Sequence, residues 1–152
     1  MVRSPDNAYL ADLRRRVLAC FEGAAVATGA EMRPTWSDVC EVVSTNRPLA
    51  EAFAENALSL GRAMQPRRPA DTHGSTDMGN VTTVIPGIHP FLSITEGPVP
   101  GHSIAFTEAA RAPRALQTMH LAAKALAMTA LDVFAEPALL KRVKEAHDGR
   151  AA

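Results

Sequence analysis

A chain of 152 residues that is 47% apolar and 21% charged has ordinary globular composition and enough length for a core, which excludes a wholly disordered chain. Its 16 basic and 16 acidic side chains cancel, so no net field draws it to nucleic acid or to an anionic membrane, and both are set aside as partners. Cys20 and Cys40 are too few for a secreted disulfide scaffold and too far apart for a zinc-knuckle or redox pair, which points to a cytoplasmic protein.

The first residues lack the apolar core of a signal peptide, and the most hydrophobic stretch, 119–134, contains Lys124 and Asp132, so no membrane segment is expected. Ser4, Pro5 and Asp6 form a helix start: a capping hydroxyl, a proline for the first turn and an acid near the positive dipole end. Leu10, Leu13, Val17, Phe21 and Ala24 then recur at three- and four-residue steps, with the run Arg14, Arg15, Arg16 read as a solvated face rather than a nucleic-acid patch. Gly29 ends this helix. Residues 30–36 have the look of a short edge strand, limited by Pro34. No earlier strand completes a layer with it, a hint of material outside the chain.

Residues 37–43 are read as irregular or briefly extended. Asn46 opens a second helix with Pro48 in its first turn, Leu49, Phe53, Ala57 and Leu60 form its buried stripe, and Gly61 closes it. The run 62–74, with three like charges and two prolines, reads as an exposed connection. A short helix is expected around 107–111. Pro113 starts a long one, whose apolar positions Leu116, Met119, His120, Ala123, Ala127, Ala130, Leu131 and Phe134 keep helical spacing and are expected to face the interior. A last helix begins at Glu136 and Pro137 and buries Leu139, Leu140 and Val143. The alternation of helices with VTTVI and FLSI suggests an α/β fold, a sheet with flanking helices.

Chemistry is concentrated in 74–110. Ser75, Thr76, Asp77, Gly79 and Asn80 make a turn of small polar groups whose backbone amides and hydroxyls suit a carboxylate or amide, although an ordinary tight turn with Asp77 capping the next element has the same composition. VTTVI after it reads as a short helix or a strand. His102, after Pro98 and Pro100 in a loop that leads into a helix, suits a metal ligand or an acid-base group, and equally a surface histidine. His89, His120, His73 and His147 are weaker candidates. No HExxH, GxSxG, phosphate loop or dinucleotide turn accompanies them.

The segment STDMGNVTTVIPGIHPFLSI, followed by GHSIAFTEAA and AAKALAMTALDVFAEPALL, resembles the C-terminal part of the catalytic domain of zinc-dependent amidohydrolases of the aminoacylase and carboxypeptidase superfamily. The most similar branch holds the β-alanyl-lysine type dipeptidases and the p-aminobenzoyl-glutamate hydrolases. Residues 1–36 resemble the end of that family's small α+β dimerisation or lid domain, and 37–152 the remainder of its catalytic α/β domain. What this resemblance implies is amide or peptide hydrolysis at a two-zinc centre, in which manganese or cobalt can replace zinc. It makes His102 the last metal ligand, and it places Gly74, Ser75, Thr76, Asp77 and Asn80 along the substrate pocket, with Asp77 holding the loop. The family's H-x-D motif, bridging acid and paired glutamates have no counterpart here. The expectation is therefore a fragment with no catalytic residue of its own, inactive alone, acting on a small amide or dipeptide only with a missing N-terminal half or within a homodimer. The alternative is a non-catalytic interaction module.

Overall fold

The computed structural model describes residues 1–66 and 74–149. Six helices follow one another: α1 (Asn7–Thr28), α2 (Arg47–Ser59), α3 (Met78–Thr82), α4 (Ile104–Ala110), α5 (Pro113–Ala135) and α6 (Pro137–Asp148). Among the described residues they group into two compact units, one of 1–44 with 74–84 and one of 45–66 with 85–149.

The expected α/β sheet is not there. No strand forms among the described residues, and the only ladder element is an isolated parallel bridge between Thr45 and Gly87. A strand exists only by exchanging backbone hydrogen bonds with a neighbour, and 30–36 and 85–94 find none of sufficient length. Pro34, Pro86 and Pro90 also remove donors from those segments. VTTVI resolves in favour of the helix: Val81 and Thr82 complete α3, and Thr83 and Val84 form the turn after it.

In the first unit, α1 starts two residues later than Ser4 suggests. Asp6 is the cap and accepts a hydrogen bond from the Tyr9 amide at 2.9 Å, while Ser4 Oγ accepts from the Asp6 amide at 3.0 Å. Gly29 ends the helix as expected, in the left-handed region at φ 68°. Of the anticipated stripe only Leu10 is buried, and Phe21 and Ala24 are exposed. Asn7 Oδ1 accepts from the Val42 amide at 2.9 Å, and the Arg14 guanidinium lies 4.6 Å from the Trp36 ring centre. These contacts bring 36–42 back along α1.

In the second unit, α2 packs on α5 and α6, which also touch each other, and α4 leans on α5. The core is Phe53, Ala57 and Ala125, covered by Leu60, Met64, Ile88 and Leu92. Burying a phenylalanine such as Phe53 contributes about 2–3 kcal/mol. Gly61, at φ 84°, lets the Arg62 amide turn back to the Ala57 carbonyl at 2.8 Å and so closes α2.

The face that α5 buries is the opposite of the expected one. Ala115, Thr118, Ala125 and Thr129 are buried, whereas Leu116, Met119, His120, Ala123, Ala127, Ala130, Leu131 and Phe134 are exposed. The reason is polar. Asn56 Nδ2 on α2 donates to Asp132 Oδ2 at 2.6 Å and to Thr129 Oγ1 at 3.2 Å, which turns the threonine side of α5 inward. On α6, Leu139 and Val143 are buried and Leu140 is exposed.

Asn46 joins these helices. Its side chain is fully buried, accepts from the Leu49 amide at 3.3 Å as the cap of α2, and donates from Nδ2 to the Val143 carbonyl of α6 at 2.9 Å. Asn46→Ala removes both bonds and leaves the Leu49 amide in the first turn of α2 without its capping partner. It is expected to lower unfolding free energy by about 1–3 kcal/mol in urea denaturation. Asn46→Ser, which restores the cap but does not reach Val143, is expected to recover only part of that loss.

Candidate functional site

The turn at 74–80 belongs to the first unit. Gly74 and Ser75 are exposed, Thr76 is half-buried, and Asp77 stands at the cap position of α3 without a side-chain bond to the helix. Thr76 Oγ1 accepts from the Met78 amide at 3.3 Å and takes over that role. Asn80 is engaged by the chain itself: Nδ2 donates to the Val39 carbonyl at 2.9 Å, and Oδ1 accepts from the Glu41 amide at 3.1 Å. An amide that both donates and accepts reproduces one rung of strand pairing for a segment that has no strand beside it.

Thr82, which the sequence did not single out, and Gly79, which it named only as part of the turn, complete this seat. Thr82 is fully buried, and its Oγ1 accepts from the Ser44 amide at 2.9 Å and donates to the Gly79 carbonyl at 3.3 Å. Gly79 lies against the backbone of Glu41, where a Cβ would come to 1.8 Å from the carbonyl oxygen. The signal in the sequence was the glycine within TDMGN. Its partner, the irregular run 39–44, carried no motif.

His102 belongs to the second unit. It is the one non-glycine residue with positive φ, at 58°, among those described, and it is exposed. Ser103 fixes the loop on its C-terminal side: Oγ donates to the Pro100 carbonyl at 2.7 Å and caps α4 by accepting from the Phe106 amide at 3.1 Å. The imidazole is thus presented from a turn that Ser103 holds through the Pro100 carbonyl and the start of α4.

The other histidines are scattered. His89 is half-buried with its ring centre 4.9 Å from that of Phe91, and its Nδ1 is buried without a hydrogen-bond partner. His120 is exposed on α5, and His73 lies outside the described residues, as does much of the connection expected at 62–74. His147 sits in the last turn of α6. No group of three or more histidine, cysteine or acidic side chains that could hold a metal ion occurs among the described residues. A zinc centre takes three or four protein ligands, so His102 could supply one of them and the described residues do not complete the set. A shallow recess between α2, α5 and α6 carries Glu51, Glu55, Asp132 and Glu136 against Arg142, and Asp132 there is already bonded to Asn56.

Two curated proteins align with nearly the whole chain. The mouse Xaa-Arg dipeptidase is 38% identical over 147 residues, 94% of this chain and 34% of its own length. That similarity relates the chain to dipeptidases. The human Xaa-Arg dipeptidase is 37% identical over 147 residues, again 94% of this chain and 33% of its own. The chain therefore spans about a third of the length of the curated relatives it matches. No family model matches, and no solved structure matches either. No described helix is long and apolar enough to cross a membrane.

The contact at Gly79 sets a test of the turn. Gly79→Ala is expected to cost about 1–3 kcal/mol of stability, because neither backbone can yield without breaking the bonds of Asn80 and Thr82. Gly74→Ala, which meets nothing within 4 Å, is expected to stay within about 0.5 kcal/mol of the parent in the same thermal or urea melt.

Proposed function

We infer that the chain supplies part of the body of a metal-dependent dipeptidase, with residues 1–36 as the end of a lid domain and 37–152 as part of the catalytic body. The observation that carries this reading is similarity to two Xaa-Arg dipeptidases along 94% of the chain. The substrate class is a dipeptide, with arginine at its C-terminal side as the names of both relatives state. The resemblance to two-zinc amidohydrolases adds the metal, zinc or a substitute such as manganese or cobalt, and gives His102 the role of one ligand. The exposed, turn-held imidazole supports that role. Ser75 and the backbone at Gly74 supply the free polar edge of the turn along the substrate pocket, next to Thr76. Thr76 and Asn80 hold the turn, Thr76 through the Met78 amide and Asn80 through the bonds it makes to Val39 and Glu41, with the Asp77 carboxylate exposed beside them.

The described residues do not themselves make a metal centre, so no step of the hydrolysis is assigned to this chain alone. The remaining ligands and the general base come from outside it, from a complementary N-terminal portion, and the working particle is that assembly or its homodimer. Both cysteines are free and exposed, in keeping with a reducing cytoplasm. The rival reading, a non-catalytic interaction module, draws support from the apolar surface left on α5.

The chain alone is expected to hydrolyse no Xaa-Arg dipeptide with zinc, manganese or cobalt added; metal-dependent turnover by the pure chain would overturn the reading. A chimera carrying this chain in place of the matched 147 residues of the mouse protein is expected to be active. In it His102→Ala lowers kcat by more than the roughly 10–100-fold that loss of an outer partner of a metal ligand costs. Unchanged kcat in that variant removes His102 from the metal shell.

A further inference from the structure

Helix α5 is apolar on two sides, with Arg114, Gln117, Lys124 and Asp132 along the sector between them. One side is packed against α2 and α6, and the other shows Leu116, Met119, Ala123, Ala130, Leu131 and Phe134 to solvent, the last at 85% exposure. At 100° per residue these six fall within about 120° of arc, and the intervening Ala127 lies inside it. His120 is the sole polar group among them, and Lys124 stands at the edge. A helix with this pattern is normally enclosed on both sides.

We propose that this outer face of α5 is the docking surface for the polypeptide that makes up the two-thirds of the relatives beyond the matched region. The proposal rests on the dipeptidase reading, and three observations choose the occupant. The relatives carry about twice as much chain again outside the region that this one spans, enough to cover the stripe as an interior surface. A second copy paired through α5 covers too little. At 1.5 Å per residue the 23-residue helix is about 34 Å long and about 10 Å wide, a footprint of about 350 Å² on each copy against the roughly 800 Å² per partner of a stable complex. A membrane surface is a poor fit, since an interfacial helix turns a charged face to water, and the side of α5 opposite the stripe is buried in protein.

The test is thiol protection. In a Cys20→Ser, Cys40→Ser background, single cysteines replace Ala123 or Ala130 on the stripe, and Lys141 on exposed α6 as the reference. In this chain alone, at low concentration, the stripe thiols are expected to react with a maleimide as fast as the reference thiol. In the chimera with the mouse protein they are expected to react at least roughly tenfold more slowly, with the reference unchanged. Stripe thiols that stay reactive in a folded chimera overturn the proposal. So does protection in the isolated chain that grows with concentration, which assigns the face to a second copy, and so does a chimera that cannot fold around this face. Hydrolysis is read separately: protection without activity keeps the docking surface and removes the dipeptidase reading, and activity with reactive thiols does the reverse.

Discussion

The second unit depends on one buried amide. Asn46 has no solvent exposure, and its side chain serves two helices at once, accepting from the first turn of α2 and donating to the Val143 carbonyl of α6. Its own backbone amide donates to the Gly87 carbonyl at 2.8 Å. A buried polar group that is fully paired costs little, and one that loses a partner costs its whole desolvation. The asparagine amide accepts at one atom and donates from another, so a single side chain reaches both helices. With α2 seated, Phe53 and Ala57 meet Ala125, and the core closes.

The helices were legible in the sequence because helix signals are local. Asn46 with Pro48, Gly29, Gly61, Pro113 and Pro137 mark ends through caps and fixed backbone angles that operate within a single turn. The buried side of α5 was not legible. Where both sides of a helix are apolar, periodicity cannot say which one packs, and the choice fell to Asn56 reaching Thr129 and Asp132 from a residue more than 70 positions away. The sheet failed for a related reason. Extended segments such as 30–36 announce a strand by composition, but pairing is a property of two segments, and the described residues contain no second one.

The site was legible in part. TDMGN pointed to a turn with a backbone-level constraint, and Gly79 against Glu41 is that constraint. The other half of the seat, 39–44, has no signature because it contributes only backbone, held by Asn80, Thr82 and Asn7. The histidine loop was visible through Pro98, Pro100 and Gly101. Beyond that loop the residue pattern offered no ligand set, and no group of three or more metal-holding side chains occurs among the described residues.

The turn at 102 has an implication for how the chain is constrained. A left-handed backbone costs an ordinary L-residue about 1–2 kcal/mol, and glycine escapes that cost. By conformational energy alone glycine is the better occupant at φ 58°, yet the position holds an imidazole turned toward water, where it adds nothing to the core. Folding preference and side-chain chemistry pull in opposite directions at this residue. The sequence gives up local stability there, and the difference marks where selection for folding alone stops explaining the choice of amino acid.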